Sequence, residues 1–218
     1  RDPCFHKGFN RLARLFSKYD FPLTIFVVGR DLKDPERASI VREWALQGHE
    51  IGNHSWSHHF NMACLNKREV RDEVLYAHDI ITRTIGKEPK GFIAPAWSSS
   101  TYLVRNLLEL NYLYDTSVFP SLYLYPMVAK IASKHWRNPA KGLRMIQRKD
   151  WLGPLRYPKQ PFYMDGQMKI SSEKGENKLL ILPLPSRNRF SLCLWHTKGF
   201  LFGWDKVKND IKNMGPRN

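Results

Sequence analysis

The apolar positions of the chain change period several times, and each change marks an element. From Gly8 to Tyr19, Phe9, Leu12, Leu15 and Phe16 recur at three-to-four spacing, which predicts an amphipathic helix. Phe21-Pro22 ends it, because proline cannot continue the helical ladder. Leu23 to Gly29 is then a continuous apolar run rich in β-branched residues, the pattern of a strand buried on both faces, as in a parallel sheet. Asp34-Pro35-Glu36 opens a second helix, with proline where no N–H is needed. Its apolar face is Ile40, Val41, Trp44 and Ala45, and Gly48 stops it. His49 to His54 reads as a short strand running into a loop. Asn66 caps a third helix, from Lys67 to Ile85, with Val70, Val74, Leu75, His78 and Ile81 on one face and Gly86 at its end. Gly91 to Ala94 is a short strand before Pro95, Thr101 to Leu110 is helical, and Tyr112 to Tyr114 is a strand that leads into the loop Asp115 to Pro120.

Helix and strand thus alternate with short connections over the first 120 residues. That alternation argues for an α/β fold with a parallel sheet and crossover helices, open or closed into a barrel. From Ser121 to Lys178 the rhythm is lost among aromatic, basic and proline residues. This stretch is expected to be an irregular excursion on a single domain of residues 1–218, not a second domain. The rhythm resumes at Leu179 to Pro183 and at Ser191 to Trp195.

Composition narrows the class. With 218 residues, 42% of them hydrophobic, a sizeable core is available, and disordered, collagen-like and disulfide-scaffold chains are excluded. No apolar run is long enough to cross a membrane as a helix. Nothing at the Arg1 end resembles a signal peptide, and the sequence leaves the compartment, cell envelope or cytoplasm, open. Cys4, Cys64 and Cys193 form no Cys-x-x-Cys and are expected to be buried or part-buried thiols. Thirty-five Lys and Arg against 20 Asp and Glu give a net charge of +15. No nucleic-acid-binding motif accompanies it, so a specific nucleic acid is not expected. The densest basic stretch, Lys130 to Lys149, is either a solvated face or a patch for an anionic polymer or lipid headgroup.

The chemistry concentrates after the second strand. His54 and His58 are four apart, a spacing at which two imidazoles can reach one divalent metal from a single turn. Asn53 and Ser55 are placed to hold the ring orientations. The pair follows a strand, and ligands in parallel α/β folds gather at strand C-terminal ends. The other reading is a polar surface loop.

The run from Thr24 to Gly29, the block from Gly48 to His58, Gly91 to Trp97 and Tyr114 to Pro120 together resemble the polysaccharide deacetylases of the NodB type, carbohydrate esterase family 4. The resemblance covers residues 8 to 120. It implies a distorted (β/α) barrel of about seven parallel strands, and a divalent metal, zinc above all, held by two histidines and an aspartate. It also implies metal-assisted hydrolysis of an N-acyl group on an aminosugar. On the matching positions, His54 and His58 are the metal histidines. Pro95, Ala96 and Trp97 line the substrate groove, and Asp115 is the aspartate that orients a catalytic neighbour.

The departures lie in the remaining motifs. The family's first motif is an acidic pair, and only Asp2 stands near its place. Either Asp2 is the metal aspartate, or both acids lie upstream of Arg1. Ile93 occupies the position of an arginine that braces the catalytic base, and the two side chains are not exchangeable. His196 is the candidate general acid, unless the corresponding histidine lies beyond Asn218. His49, His59 and His78 read as structural.

The expected partner is an N-acylated glycan or a lipid-linked sugar, with acidic groups an option. Trp136, Trp151, Tyr157, Phe162 and Tyr163 are candidates for stacking on sugar, and Leu122 to Lys130 for contact with a membrane surface. Both sets can equally pack the excursion onto the barrel. The alternative function is a catalytically impaired glycan-binding module, which Ile93 and the missing acidic pair favour. The sugar, the acyl group, the metal and the oligomeric state are not encoded in any motif.

Overall fold

The computed structural model describes residues 8–133, 137–138, 140, 150, 152–190, 193 and 203–214. Asp2, Cys4, His6, His135, Trp136, Trp151 and His196 therefore lie outside the described residues, as do Lys134, Lys141, Arg144, Arg148 and Lys149 of the basic stretch.

Helix α1 (Phe9–Lys18) leads into strand β1 (Thr24–Val27), followed by α2 (Pro35–Leu46), β2 (Glu50–Asn53), α3 (Lys67–Ile85), β3 (Gly91–Phe92), α4 (Thr101–Glu109) and β4 (Tyr114–Asp115). The boundaries follow from local chemistry. Asp34 caps α2 by accepting the Glu36 N–H. Asn66 and Glu69 form a reciprocal capping box on α3, and Gly86 closes it in the left-handed region at φ 75°. α1 forms where its period predicts, but Leu12 and Leu15 remain exposed.

Among the described residues seven strands make one mostly parallel sheet, in the order β1-β2-β3-β4 and then β7 (Lys178–Ile181), β5 (Phe162–Asp165) and β6 (Ile170–Ser171). β1 to β4 and β7 (Lys178–Ile181) are parallel neighbours. The excursion is more regular than the sequence suggests. It contains α5 (Leu124–Ser133), a single turn α6 (Gly153–Arg156) and a hairpin of β5 (Phe162–Asp165) and β6 (Ile170–Ser171). β5 pairs antiparallel with β7, so two of the expected parallel strands form an antiparallel hairpin instead. β1, as the outer strand of this order, buries Ile25 and Val27 but exposes Thr24, not the two-sided burial that its continuous apolar run predicts. A last helix, α7 (Trp204–Met214), was not visible as a period in the sequence.

Two apolar clusters flank the sheet. One joins Val70, Val74, Phe92, Leu103, Leu107, Tyr157, Phe162, Leu179 and Ile181; the other joins Ile25, Val27, Val41, Trp44, Ile51 and Ile81. Tyr157 and Phe162 are buried and stack on each other at 6.0 Å. They pack the excursion onto the sheet and are not presented to a sugar. Likewise Leu124 and Val128 of α5 turn inward against Phe119 and Cys193 as core, while Tyr123 of the same segment stays exposed. Among the described residues no helix is long and apolar enough to cross a membrane. Cys64 is exposed, contrary to expectation, and Cys193 is buried; neither forms a disulfide.

Gly29 permits the close approach that seats α3 under the end of β1. A Cβ there would lie 2.7 Å from the Ala77 Cα and 3.0 Å from the Trp56 ring. Since the first obstacle is backbone, Gly29→Ala must displace α3. The expected cost is about 1–3 kcal/mol, read as a lowered urea midpoint at constant slope. An unchanged midpoint would show that α3 moves freely at this contact.

Candidate active site

One row of the sheet runs across the five parallel strands: Val27, Asn53, Phe92, Asp115 and Ile181 are paired in register. It lies at or one residue from the C-terminal end of each strand, and the loops that leave it carry the candidate residues.

The loop after β2 is tied down on three sides. His54 donates its N–H to the Val27 carbonyl at 2.9 Å, and the Asn53 carbonyl accepts from Ile93 at 3.1 Å. The chain then turns through left-handed backbone at Ser55 (φ 64°) and His58 (φ 59°), a region that non-glycine residues seldom occupy. Side chains hold the turn in that shape. The Asn53 Oδ1 accepts from Ser55 N–H at 2.8 Å, and the Ser55 hydroxyl accepts from His58 N–H at 3.1 Å. Gly29 and Arg30 donate to the Ser55 and Trp56 carbonyls, and the Glu73 carboxylate of α3 accepts from both the N–H and the hydroxyl of Ser57. Asn53 and Ser55 thus set the backbone, not the imidazole rings as their spacing suggested.

The His54 and His58 rings meet at 4.8 Å between centroids with an interplanar angle of 76°. Nδ1 of His54 lies 2.7 Å from the Ile93 carbonyl. A carbonyl only accepts, so Nδ1 carries the proton and Nε2 keeps its lone pair. Burial pushes the His54 pKa down to about 4; the Ile93 bond partly offsets this and the neighbouring His58 adds to it. Burial lowers His58 as well. Both rings are therefore neutral at neutral pH, the state in which imidazole binds a metal. Among the described residues no third His, Cys, Asp or Glu joins the pair to complete a three-donor group. Two neutral imidazoles, one with a locked tautomer, fit two positions of a site with three protein ligands.

The Pro95–Trp97 turn follows β3, with Ala96 and Trp97 both at φ 53°. Its Trp97 ring packs against Phe119 at 5.0 Å. Asp115 ends β4 and is 1% exposed. One of its oxygens accepts from both the N–H and the hydroxyl of Ser117, and that hydroxyl in turn accepts from Ala94 N–H at 2.7 Å, which links the β3 and β4 loops. The other oxygen is buried without a hydrogen-bond partner among the described residues. Burial, opposed only by the Ser117 bonds, raises the Asp115 pKa from 3.8 to about 7. A raised carboxyl pKa means that the folded state holds the proton more tightly. The stability contribution is complete below pH 3.8 and is lost as pH rises through about 7. Urea unfolding as a function of pH is expected to show this decline, and Asp115→Asn to flatten it. An equal slope in both proteins would contradict the assignment.

His49, His59 and His78 each engage a hydrogen-bond partner. His49 is buried with Nδ1 accepting from Leu23 N–H, His59 is exposed with Nδ1 accepting from Asn61 N–H, and His78 meets the Tyr112 hydroxyl at 3.2 Å. Sequence reasoning missed two features. The Tyr112 hydroxyl accepts from Asn53 Nδ2 at 2.7 Å, and Phe60 stands 5.1 Å from His58, half-exposed. Nothing in the spacing marked the second. A cavity of about 540 Å³ between α4 and α6 has Tyr157, a sugar-stacking candidate, in its wall, but among the described residues none of the metal-ligand, catalytic or groove candidates.

The polysaccharide deacetylase family model matches residues 2–114, just over half of the chain, and the chain belongs to that family. Over 149 residues it is 31% identical to a peptidoglycan deacetylase of Helicobacter pylori, covering 68% of this chain and 48% of that protein. The chain spans about half the length of this relative, and 28% of a Bacillus cereus peptidoglycan-N-acetylglucosamine deacetylase that it matches at 34% identity over 80 residues. The fold is shared with a Mycobacterium smegmatis structure assigned to the polysaccharide deacetylases. That match has a TM-score of 0.61 at 16% identity and covers 98% of this chain and 68% of that one.

Proposed function

We propose that this chain forms the metal-bearing part of a hydrolase that removes an N-acyl group, acetyl or formyl, from an aminosugar. The sugar belongs to a cell-envelope or exported polysaccharide, or to a lipid-linked precursor. The His54–His58 pair carries the reading: two neutral rings 4.8 Å apart at the end of a parallel strand, one locked by a backbone carbonyl. The Helicobacter relative, named a peptidoglycan deacetylase, supports an N-acylated envelope glycan as the substrate class. His54 and His58 would hold a divalent ion, zinc foremost, with Asp2 as the third donor. When bound, such an ion polarises the amide carbonyl and lowers the pKa of a coordinated water.

The chain's own residues do the rest. The Ile93 carbonyl keeps the proton on Nδ1 of His54, so the opposite nitrogen stays available. Glu73, Ser55 and Asn53 hold the histidine loop closed on β1 and α3. Pro95, Ala96 and Trp97 form the groove wall on the β3 side. In the hydrolysis a water oxygen bonds to the carbonyl carbon and the C–N bond breaks. The proton that the attacking water gives up is returned through His196 to the leaving amine, and Asp115 supports the site from the end of β4. A carboxylic acid and a free amine are the products.

The test is incubation of the intact protein with N-acetylglucosamine oligomers and with peptidoglycan, following acid release and new free amines. Chelation is expected to stop the reaction and a divalent ion to restore it. Release that survives complete metal removal would refute the metal, and metal-replete protein that deacylates no glycan would refute the function.

A further inference from the structure

We infer that Phe60 is the platform for the sugar ring whose N-acyl group is cleaved, a residue that sets specificity beside the His54–His58 pair. The inference rests on the functional reading above. Phe60 is 44% exposed although both residues that follow it, Asn61 and Met62, are buried. Its ring lies 5.1 Å from the His58 imidazole at an interplanar angle of 83°. The segment around it is anchored from both sides. Asn61 N–H donates to His59 Nδ1 at 3.3 Å, Cys64 N–H to the Asn61 carbonyl at 3.1 Å, and Ala63 N–H to the Ser98 hydroxyl at 2.9 Å, which ties this segment to the turn after β3. A large apolar ring is thus kept in contact with solvent by backbone that is itself held in place.

The chemistry of the substrate class explains such a ring. A pyranose has an apolar C–H face that covers an aromatic ring well, while its polar edge stays solvated. The nitrogen of an N-acyl aminosugar is attached directly to that pyranose. When the amide carbonyl is at the histidine pair, the sugar itself must lie one side chain away, where Phe60 stands. The other exposed aromatic near this loop, Tyr76 of α3, packs its ring against Trp56 of the loop, whereas Phe60 meets the His58 ring directly.

Phe60→Ala in the intact protein is expected to weaken binding of an N-acetylglucosamine oligomer, and to raise KM, by about tenfold. Metal content should be retained, and the change should fall in KM more than in kcat. Phe60→Tyr and Phe60→Trp should restore binding, and it is the retained metal content of Phe60→Ala that separates a platform from a structural contact with His58. If Phe60→Ala binds the oligomer as tightly as the wild type, the platform is refuted and the functional reading stands. If Phe60→Ala instead loses metal, Phe60 serves His58 and the platform is again refuted. If metal-replete wild type binds no N-acylated glycan, the functional reading fails and takes the platform with it.

Discussion

Replacement of His54 by alanine is expected to remove metal uptake and hydrolysis together. The side chain it deletes is the better prepared of the two donors. Its Nδ1 is held by the Ile93 carbonyl at 2.7 Å, and burial keeps it neutral down to about pH 4. Loss of an outer hydrogen-bond partner alone costs up to about a hundredfold in metal affinity, so loss of the ligand itself is expected to exceed a hundredfold. The measurement is elemental analysis of wild type and variant purified side by side, with circular dichroism to confirm the fold. One metal per wild-type chain and none in the variant is the expected result. Equal metal in both would place the ion elsewhere, and the proposed centre would be wrong.

Asn53→Ala is the substitution expected to cost most in stability. The Asn53 side chain is fully buried, and it holds three groups at once: the Ser55 N–H, the Tyr112 hydroxyl and the Val74 carbonyl of α3. Val74 belongs to a helix, and the Tyr112 hydroxyl keeps His78. The Ser55 N–H, however, is left buried and unpaired, and Ser55 loses the acceptor that holds it in left-handed backbone. A loss of about 3 kcal/mol follows. Asn53→Asp should behave differently. Its second oxygen would face the Val74 carbonyl, acceptor against acceptor, and burial would raise its pKa. Its stability should therefore fall as pH rises, whereas the alanine variant is comparatively insensitive to pH. Urea titrations at several pH values separate the two. A stability for Asn53→Ala within about 0.5 kcal/mol of wild type, the range of an ordinary surface change, would mean that the loop holds its shape without Asn53.

Much of this site was legible before any coordinates. The helices carry their own start and stop signals. Asn66 with Glu69, and Gly86 at the other end, bracket α3 as the sequence indicates, because capping is satisfied within a few residues of backbone. The His54–His58 pair was legible for a similar reason: its spacing and the strand before it are local. The excursion was not legible. Its strands are short, and β5 finds its partner β7 only after β6 and the loop that follows it have been traversed. Its aromatic and basic composition suggested a surface for sugar or lipid, but Tyr157, Phe162 and Leu124 are core.

The sequence by itself determined which segments are helix and strand in the first half of the chain. It also determined that two histidines leave a strand end together. These properties depend on period, capping and spacing, which act over a few residues. The tertiary structure alone decided how those histidines are held. The Ile93 carbonyl that sets the tautomer of His54 is 39 residues away, and the Tyr112 hydroxyl that holds Asn53 is 59 residues away. Such contacts form only when strands separated by whole helices become neighbours in the sheet. No local pattern records them, because what selects them is the burial of polar groups that must find partners in the folded interior.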